Sequence, residues 1–301
     1  MKLTFLGTGT SLGIPIVGCK CPVCQSGDPR DKRFRASALF EVDGLNILVD
    51  CGPDFRSQML RAGIGHLDAI LITHNHKDHL GGLDDVRSLN FIDRHPAEIY
   101  CEPKILEDMR REYPYAFTSP KYPGSPEWHI HLIDTQPFVV RPSADDKELV
   151  WVHDVGYGYR CPDGSVQPTP ADNIEKAIDS GKGVRVIPIR GIHGKMPILG
   201  FRIGNIAYLT DISYIPEEEM PKLKGLEHVS LNTVSYGPHH SHLSLDEALA
   251  LADRIGATHT WLTHLSHNFP VHEQFCAELR RLCAERHIRS DVQPAYDGLQ
   301  I

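Results

Sequence analysis

Residues 69–82 read Ala69-Ile70-Leu71-Ile72-Thr73-His74-Asn75-His76-Lys77-Asp78-His79-Leu80-Gly81-Gly82. The apolar run 69–72 has the continuity of a fully buried strand, and Thr73-His74 sits at its end. Three histidines and one aspartate then fall within six positions. Imidazole nitrogen and carboxylate oxygen are good ligands for zinc, manganese or iron. One tetrahedral ion with an open position needs only three protein ligands. Four here, with more downstream, point to two divalent ions, zinc or manganese. His74, His76, Asp78 and His79 would supply the first ligands.

Strand ends are where the remaining ligands are sought. Ligands at one edge of parallel or mixed strands gather into one site without bending any element. His193 follows the apolar run 184–189 after a short loop, Asp211 follows the run 206–209, and His264 follows 260–262. A lone histidine at a strand end is ordinarily structural. The cluster at 74–79 raises these three, because two ions need further ligands.

Elsewhere the chain alternates short strands, turns and helices. Residues 3–6 are apolar, and 38–42 with 46–49 make a hairpin around Asp43-Gly44, ending at Asp50-Cys51-Gly52. A helix is expected over 54–62, stopped by Gly63. Residues 91–138 hold further, proline-rich elements. The stretch 141–183 has too few apolar residues for a core of its own and reads as an insertion, with a short helix near 172–180. Trp151, Tyr157 and Tyr159 read as ordinary packing within it. Strands resume at 184–189, 199–203, 206–209, 229–231 and 260–262. Ser244-Leu245-Asp246-Glu247 is a capping box opening a helix to Ile255, closed by Gly256. A last amphipathic helix is expected over 271–287, after Pro270. The mixture implies layered α/β architecture in a single domain over 1–301, interrupted at about 141–183.

Cys19, Cys21 and Cys24 crowd into a Gly/Pro-rich loop. In a chain of this size without a secretion signal, such spacing reads better as zinc ligation than as disulfides. A closed structural zinc takes four ligands, and His267 is the candidate for the fourth. Three free thiols in a loop are the alternative.

The 301 residues carry a net charge of −8 with histidines neutral, which disfavours stable, sequence-independent nucleic-acid binding. A small phosphate ester remains open as a substrate, because bound ions add local positive charge. No run is apolar enough to span a bilayer, so no membrane partner is expected. The compartment read from this is cytoplasmic. The charged run Arg30-Asp31-Lys32-Arg33-Phe34-Arg35 reads as a solvated strand edge. Oligomeric state stays open, a homodimer included.

The His74-Asn75-His76-Lys77-Asp78-His79 signature, with the order of His193, Asp211 and His264, resembles the metallo-β-lactamase superfamily. That resemblance implies a four-layer αβ/βα sandwich. It implies that His74, His76 and His193 hold one ion, that Asp78, His79 and His264 hold the other, and that Asp211 bridges both. Asp50 matches the residue that orients those ligands from behind. The pairing of Gly18-Cys19-Lys20-Cys21-Pro22-Val23-Cys24 with His264-Leu265-Ser266-His267 is similar to the phosphoribosyl 1,2-cyclic phosphodiesterase (PhnP-like) group. There the three cysteines and the second histidine hold a structural zinc. The same group carries a histidine before a late helix, a place matched here by His242, with His239 and His240 nearby. The stretch 141–183 departs from that pattern.

The chemistry expected is hydrolysis of a small phosphodiester, cyclic ones included, by a metal-bridging hydroxide. Asp78 would help orient the water. His242 would stabilise the transition state or protonate the leaving oxygen. Three alternatives stand beside this reading. A tRNA 3′-end nuclease needs a basic face, a glyoxalase II-like thioesterase does not explain the cysteines, and a non-catalytic metal-binding protein does not need so complete a ligand set.

Overall fold

The computed structural model describes residues 1–142, 149–152, 156–160, 166–168 and 183–301. The chain divides into two compact units, one of Met1–Lys2 and Leu39–Pro188, the other of Leu3–Ala38 and Ile189–Ile301. Strand β1 (Lys2–Gly7) lies, but for its first residue, in the second unit.

The first unit is built on a sheet whose order includes β2 (Ser37–Val42), β3 (Leu45–Val49), β4 (Ala69–Leu71), β5 (Ala97–Cys101) and β6 (Trp128–Leu132). The expected hairpin is present: Asp43 and Gly44 both take positive φ, 51° and 84°, as a two-residue type I′ turn requires. From β3 to β6 the strands run parallel. That explains the unbroken apolar character of β3 and β4, because parallel strands are covered on both faces. The helix Phe55–Ala62 ends where expected, on Gly63 in the left-handed region. Strand β7 (Phe138–Val140) leads into the stretch expected as an insertion. There β8 (Leu149–Val152), β9 (Gly156–Arg160) and β10 (Val166–Pro168) form an antiparallel sheet of their own. The helix expected near 172–180 lies outside the described residues, as do the side chains of Trp151, Tyr157 and Tyr159.

Strand β11 (Val184–His193) starts in the first unit, paired with β7, and ends in the second. It is longer than the sequence suggested. No loop separates 184–189 from His193; the strand continues through Gly191, where an added Cβ would lie 2.5 Å from the Ile212 side chain. A small residue there lets the strand pass, and the glycine marks a close approach where a short loop was expected.

The second unit contains β12 (Met196–Ile203), β13 (Ile206–Tyr208), β14 (His228–Asn232), β15 (His259–Thr263) and β16 (Asp291–Pro294) in sequential order. β12 and β13 are antiparallel, and the rest run parallel from β13. The helices Leu245–Ile255 and His272–Arg286 bury Leu245, Ala248, Leu249, Phe275 and Leu279 in the same core as Val229, Leu231 and Leu262. The capping box forms, with Ser244 and Glu247 bonding reciprocally. β1 pairs with the chain end through Leu3 N–H to Ile301 O at 2.8 Å and Phe5 N–H to Leu299 O at 2.9 Å.

The run Arg30–Arg35 is not a solvated edge. Arg33 is buried and donates to Thr8 Oγ1 at 2.8 Å and to the Ala295 carbonyl. Asp31 is buried too and accepts from His272 N–H at 2.8 Å. Charge alone cannot distinguish a solvated side chain from one that satisfies backbone groups inside.

Candidate functional site

In the first unit the signature lies just past β4. His74, Asp78 and His79 are buried, and His76 is exposed as the N-cap of the turn of helix Lys77–Leu80. The His74 ring lies 4.7 Å from that of His76 and 4.1 Å from that of His79, and Asp78 Oδ2 is 3.3 Å from His79 Nε2. Behind them Asp50, fully buried and held at φ 63°, accepts from Thr73 N–H at 2.9 Å, from the Thr73 hydroxyl, and from His79 Nδ1 at 2.7 Å. A non-glycine residue in the left-handed region costs backbone energy, and such strain concentrates at functional sites. Burial pushes the Asp50 carboxyl up, while the His79 ring and the Thr73 donors act in the opposite sense. Since the Thr73 hydroxyl donates to Asp50, it accepts from His74 Nδ1–H at 2.9 Å. Both buried rings therefore have Nδ1 committed, and each presents Nε2 as its lone-pair nitrogen.

Glycines hold this turn together. A Cβ on Gly52 would meet the Asp78 carbonyl at 2.0 Å, and one on Gly82 would meet the Gly52 carbonyl at 2.0 Å. The Asp50-Cys51-Gly52 and Leu80-Gly81-Gly82 backbones thus lie against each other, with Cys51 N–H bonded to His79 O at 2.7 Å.

In the second unit His193 ends β11, Asp211 follows β13 and His264 follows β15. All three are buried, and Asp211 and His264 take φ 61° and 54°. His193 Nδ1 donates to the Asp211 carbonyl at 2.7 Å, which again leaves Nε2 as the lone-pair nitrogen. Asp211 Oδ1 is 3.2 Å from His264 Nε2, and Thr210 donates to Oδ2 at 2.6 Å. Asn232 clamps the backbone of the next residue, accepting from Ile212 N–H at 2.7 Å and donating to its carbonyl at 3.0 Å. His242 joins this group. Its ring stacks on His264 at 4.9 Å and meets His193 at 4.6 Å, with Nδ1 3.7 Å from Asp211 Oδ1. One ligand atom from each of His193, Asp211 and His242 falls within 4.8 Å of the others. Burial, then the neighbouring imidazoles, lowers the His242 pKa to about 3. His239 lies 5.0 Å from His242, ring to ring, and His240 lies 4.5 Å from His239 with its ring tilted by 33°.

Cys19, Cys21, Cys24 and His267 are brought together within the second unit. Their sulfurs lie 3.3, 3.5 and 3.7 Å from His267 Nδ1. Tetrahedral ligation with Zn–S near 2.3 Å and Zn–N near 2.0 Å puts sulfur and nitrogen about 3.5 Å apart, so the cluster has the spacing zinc needs. Cys21 is drawn down to about 6 by the Cys24 N–H above all, while burial pushes Cys24 up to about 11. Three thiolates this close repel one another unless a cation sits among them.

Sequence reading missed the threonines. Thr73 and Thr210 each precede a candidate ligand and each bonds to a carboxylate of its set. The signal was a Thr directly before His74, Asp211 and His264.

Residues 45–265 match the beta-lactamase superfamily domain. The chain belongs to the beta-lactamase superfamily. Its α/β class and its metallo-β-lactamase type of fold are those expected. A crystal structure of a diphosphatase from the PhnP family is 33% identical, covers 100% of this chain and 96% of that one, and superposes with a TM-score of 0.75. The expected likeness to the PhnP-like group is thereby borne out. An octanoyltransferase of Porphyromonas gingivalis is 36% identical over the whole of this chain, which spans 51% of that longer protein. A ribonuclease Z of Bradyrhizobium is 27% identical over 96% of this chain and 97% of its own length. The superfamily member described here has the metallo-β-lactamase type of fold, and its His/Asp clusters fit divalent ions. Among the described residues no helix is long and apolar enough to cross a membrane.

Proposed function

We propose that this superfamily member hydrolyses a small phosphodiester, with two divalent ions, zinc or manganese, ligated by His74, His76, Asp78, His79, His193, Asp211 and His264. The observation that carries the reading is the state of the rings. His74, His79 and His193 each commit Nδ1 to a protein acceptor, at 2.9, 2.7 and 2.7 Å, which fixes Nε2 as the ligating nitrogen in advance. Structural histidines have no need of this common arrangement, and metal-ligating ones depend on it.

His74, His76 and His193 would take one ion, Asp78, His79 and His264 the other, with Asp211 shared. Bound there, the ions would activate a water and neutralise charge on the phosphoryl oxygens. The chain's own groups do the rest. Thr210 and Asn232 fix the Asp211 carboxylate and the turn behind it. Asp78 orients the water. His242, partly buried and with its pKa lowered, offers a ring N–H to a phosphoryl oxygen, just ahead of the Ser244-capped helix whose N-terminus favours an anion. Cys19, Cys21, Cys24 and His267 hold a separate structural zinc. The compartment we assign is the cytoplasm, where such thiols stay reduced.

The full-length 33% identity to a protein named a diphosphatase favours a second substrate class, the phosphoanhydride P–O–P link. A bis-aryl phosphodiester, a ribose cyclic phosphate, a dinucleoside diphosphate and S-acyl glutathione should therefore be assayed side by side with zinc or manganese. Turnover of the phosphodiesters is expected. Turnover of the thioester alone would overturn the proposal, and turnover of the diphosphate alone would replace the substrate class with the second one.

A further inference from the structure

Parallel strands covered on both faces are ordinarily apolar. β5, an inner strand, and β6, the edge strand beside it, instead carry titratable side chains in register. Glu98 pairs with His129, and Tyr100 pairs with His131. Side chains alternate along a strand, so Glu98, His129 and His131 share one face. Glu98 and His131 are buried, and the His129 side chain is 29% exposed, which leaves a path from solvent.

Both rings converge on one oxygen. His129 Nδ1 lies 2.9 Å from Glu98 Oε2, and His131 Nε2 bonds to that same atom. The rings are 4.6 Å apart. His131 is pinned in orientation, stacked on Tyr100 at 4.2 Å and 11°, with Tyr100 stacked in turn on Phe138 at 5.0 Å. His95 Nδ1 lies 3.7 Å from the other carboxylate oxygen, Glu98 Oε1, and is bonded to the Pro96 carbonyl at 2.7 Å.

We propose that Glu98, His129 and His131 form a further metal site, a two-histidine, one-carboxylate face that takes a divalent first-row transition ion of the imidazole-preferring kind. Three physical arguments support it. A facial set with bonds near 2.1 Å spaces its ligand atoms about 3.0 Å apart, close to what the His129 pair shows. Glu98 is a buried carboxylate whose nearest partners are imidazoles, and a divalent ion bound by all three would offset the cost of burying that charge. Neutral imidazoles can move their protons to the opposite ring nitrogens, so ligation takes no proton from Glu98.

The site is distinct from the His74 cluster. His131 pairs with Tyr100, which pairs with Leu71, three residues before His74 and two strands away. That is roughly 10 Å along the strands and 10 Å across them. An ion there would tie β6 to β5.

The test is stoichiometry. The full-length protein is stripped with chelator, reloaded with zinc sulfate and desalted, and zinc per chain is counted for the parent, Glu98→Gln and His129→Gln. Each variant should hold one zinc fewer, and chelator competition should show that ion bound at least 100-fold more weakly. Phosphodiester turnover should be unchanged. Glu98→Gln, a buried change, could unfold the sheet. His129→Gln alters a half-exposed ring, and its circular dichroism should match the parent. A His129→Gln protein that folds and retains as many zinc ions as the parent overturns the site.

Discussion

At the scale of single residues, Asp50 shows how a ligand set is prepared. It touches none of the proposed ions, yet through Thr73 and His79 it sets which nitrogen two buried rings present. Asn in its place would turn an N–H₂ toward groups that are themselves donors. Asp50→Asn should therefore weaken metal binding by roughly 10- to 100-fold, with the fold retained. Chelator competition measures this, and unchanged affinity would remove Asp50 from the orienting role. His242 is the contrasting case, a ring proposed to act on substrate and not to hold metal. His242→Ala should lower kcat by about 100-fold while metal content stays constant. Loss of an ion in that variant would make His242 a ligand instead, and full activity would remove it from the mechanism.

Elements turn scattered residues into sets, and this scale shows what the sequence could reveal. The 74–79 cluster was legible as a candidate because all its possible ligands lie on one turn after one strand. Asp211 and His264 were legible as residues following apolar runs, but their left-handed backbone was not, since nothing in Thr-Asp or Thr-His spells φ near +60°. His193 was found for the wrong local reason, through a loop that proved to be strand. Glu98, His129 and His131 were not legible at all. Thirty residues part Glu98 from the nearer ring, and only the parallel register of β5 and β6 aligns them. The cysteine loop lies between these extremes, its trio plain and its partner 243 residues distant. Little apolar packing supports that loop: Ile14, Val23 and Cys24, with Ile16 and Val271 against them. Backbone bonds join the flanking Thr8 and Thr10 to Leu265, and the proposed zinc would add a cross-link from the loop itself to His267. Cys21→Ser should release one zinc per chain and lower Tm by roughly 5–10 °C. A calorimetric trace identical to the parent's would mean that the thiols carry no structural ion.

For the whole molecule the decisive quantity is charge. A net −8 gives the chain no general attraction for polyanions, so the proposed ions must supply the local positive field that draws a phosphodiester in. Phosphate neutralised by side chains and phosphate neutralised by bound ions differ in their response to salt. A protein that grips nucleic acid through six or more backbone contacts loses about 10³-fold or more in affinity between 50 and 200 mM salt, because counterions released on binding must be returned. A small substrate held by two ions in a largely buried setting has few counterions to release, and screening reaches buried charges weakly. Turnover of a bis-aryl phosphodiester at subsaturating concentration should accordingly fall by less than about 3-fold across that salt range. A single-stranded oligonucleotide of 20 residues should compete poorly at either end of it. Strong competition at 50 mM salt that disappears at 200 mM would mean that a basic surface, and not the metal pair, selects the substrate. The likeness to ribonuclease Z would then outweigh the acidity of the chain.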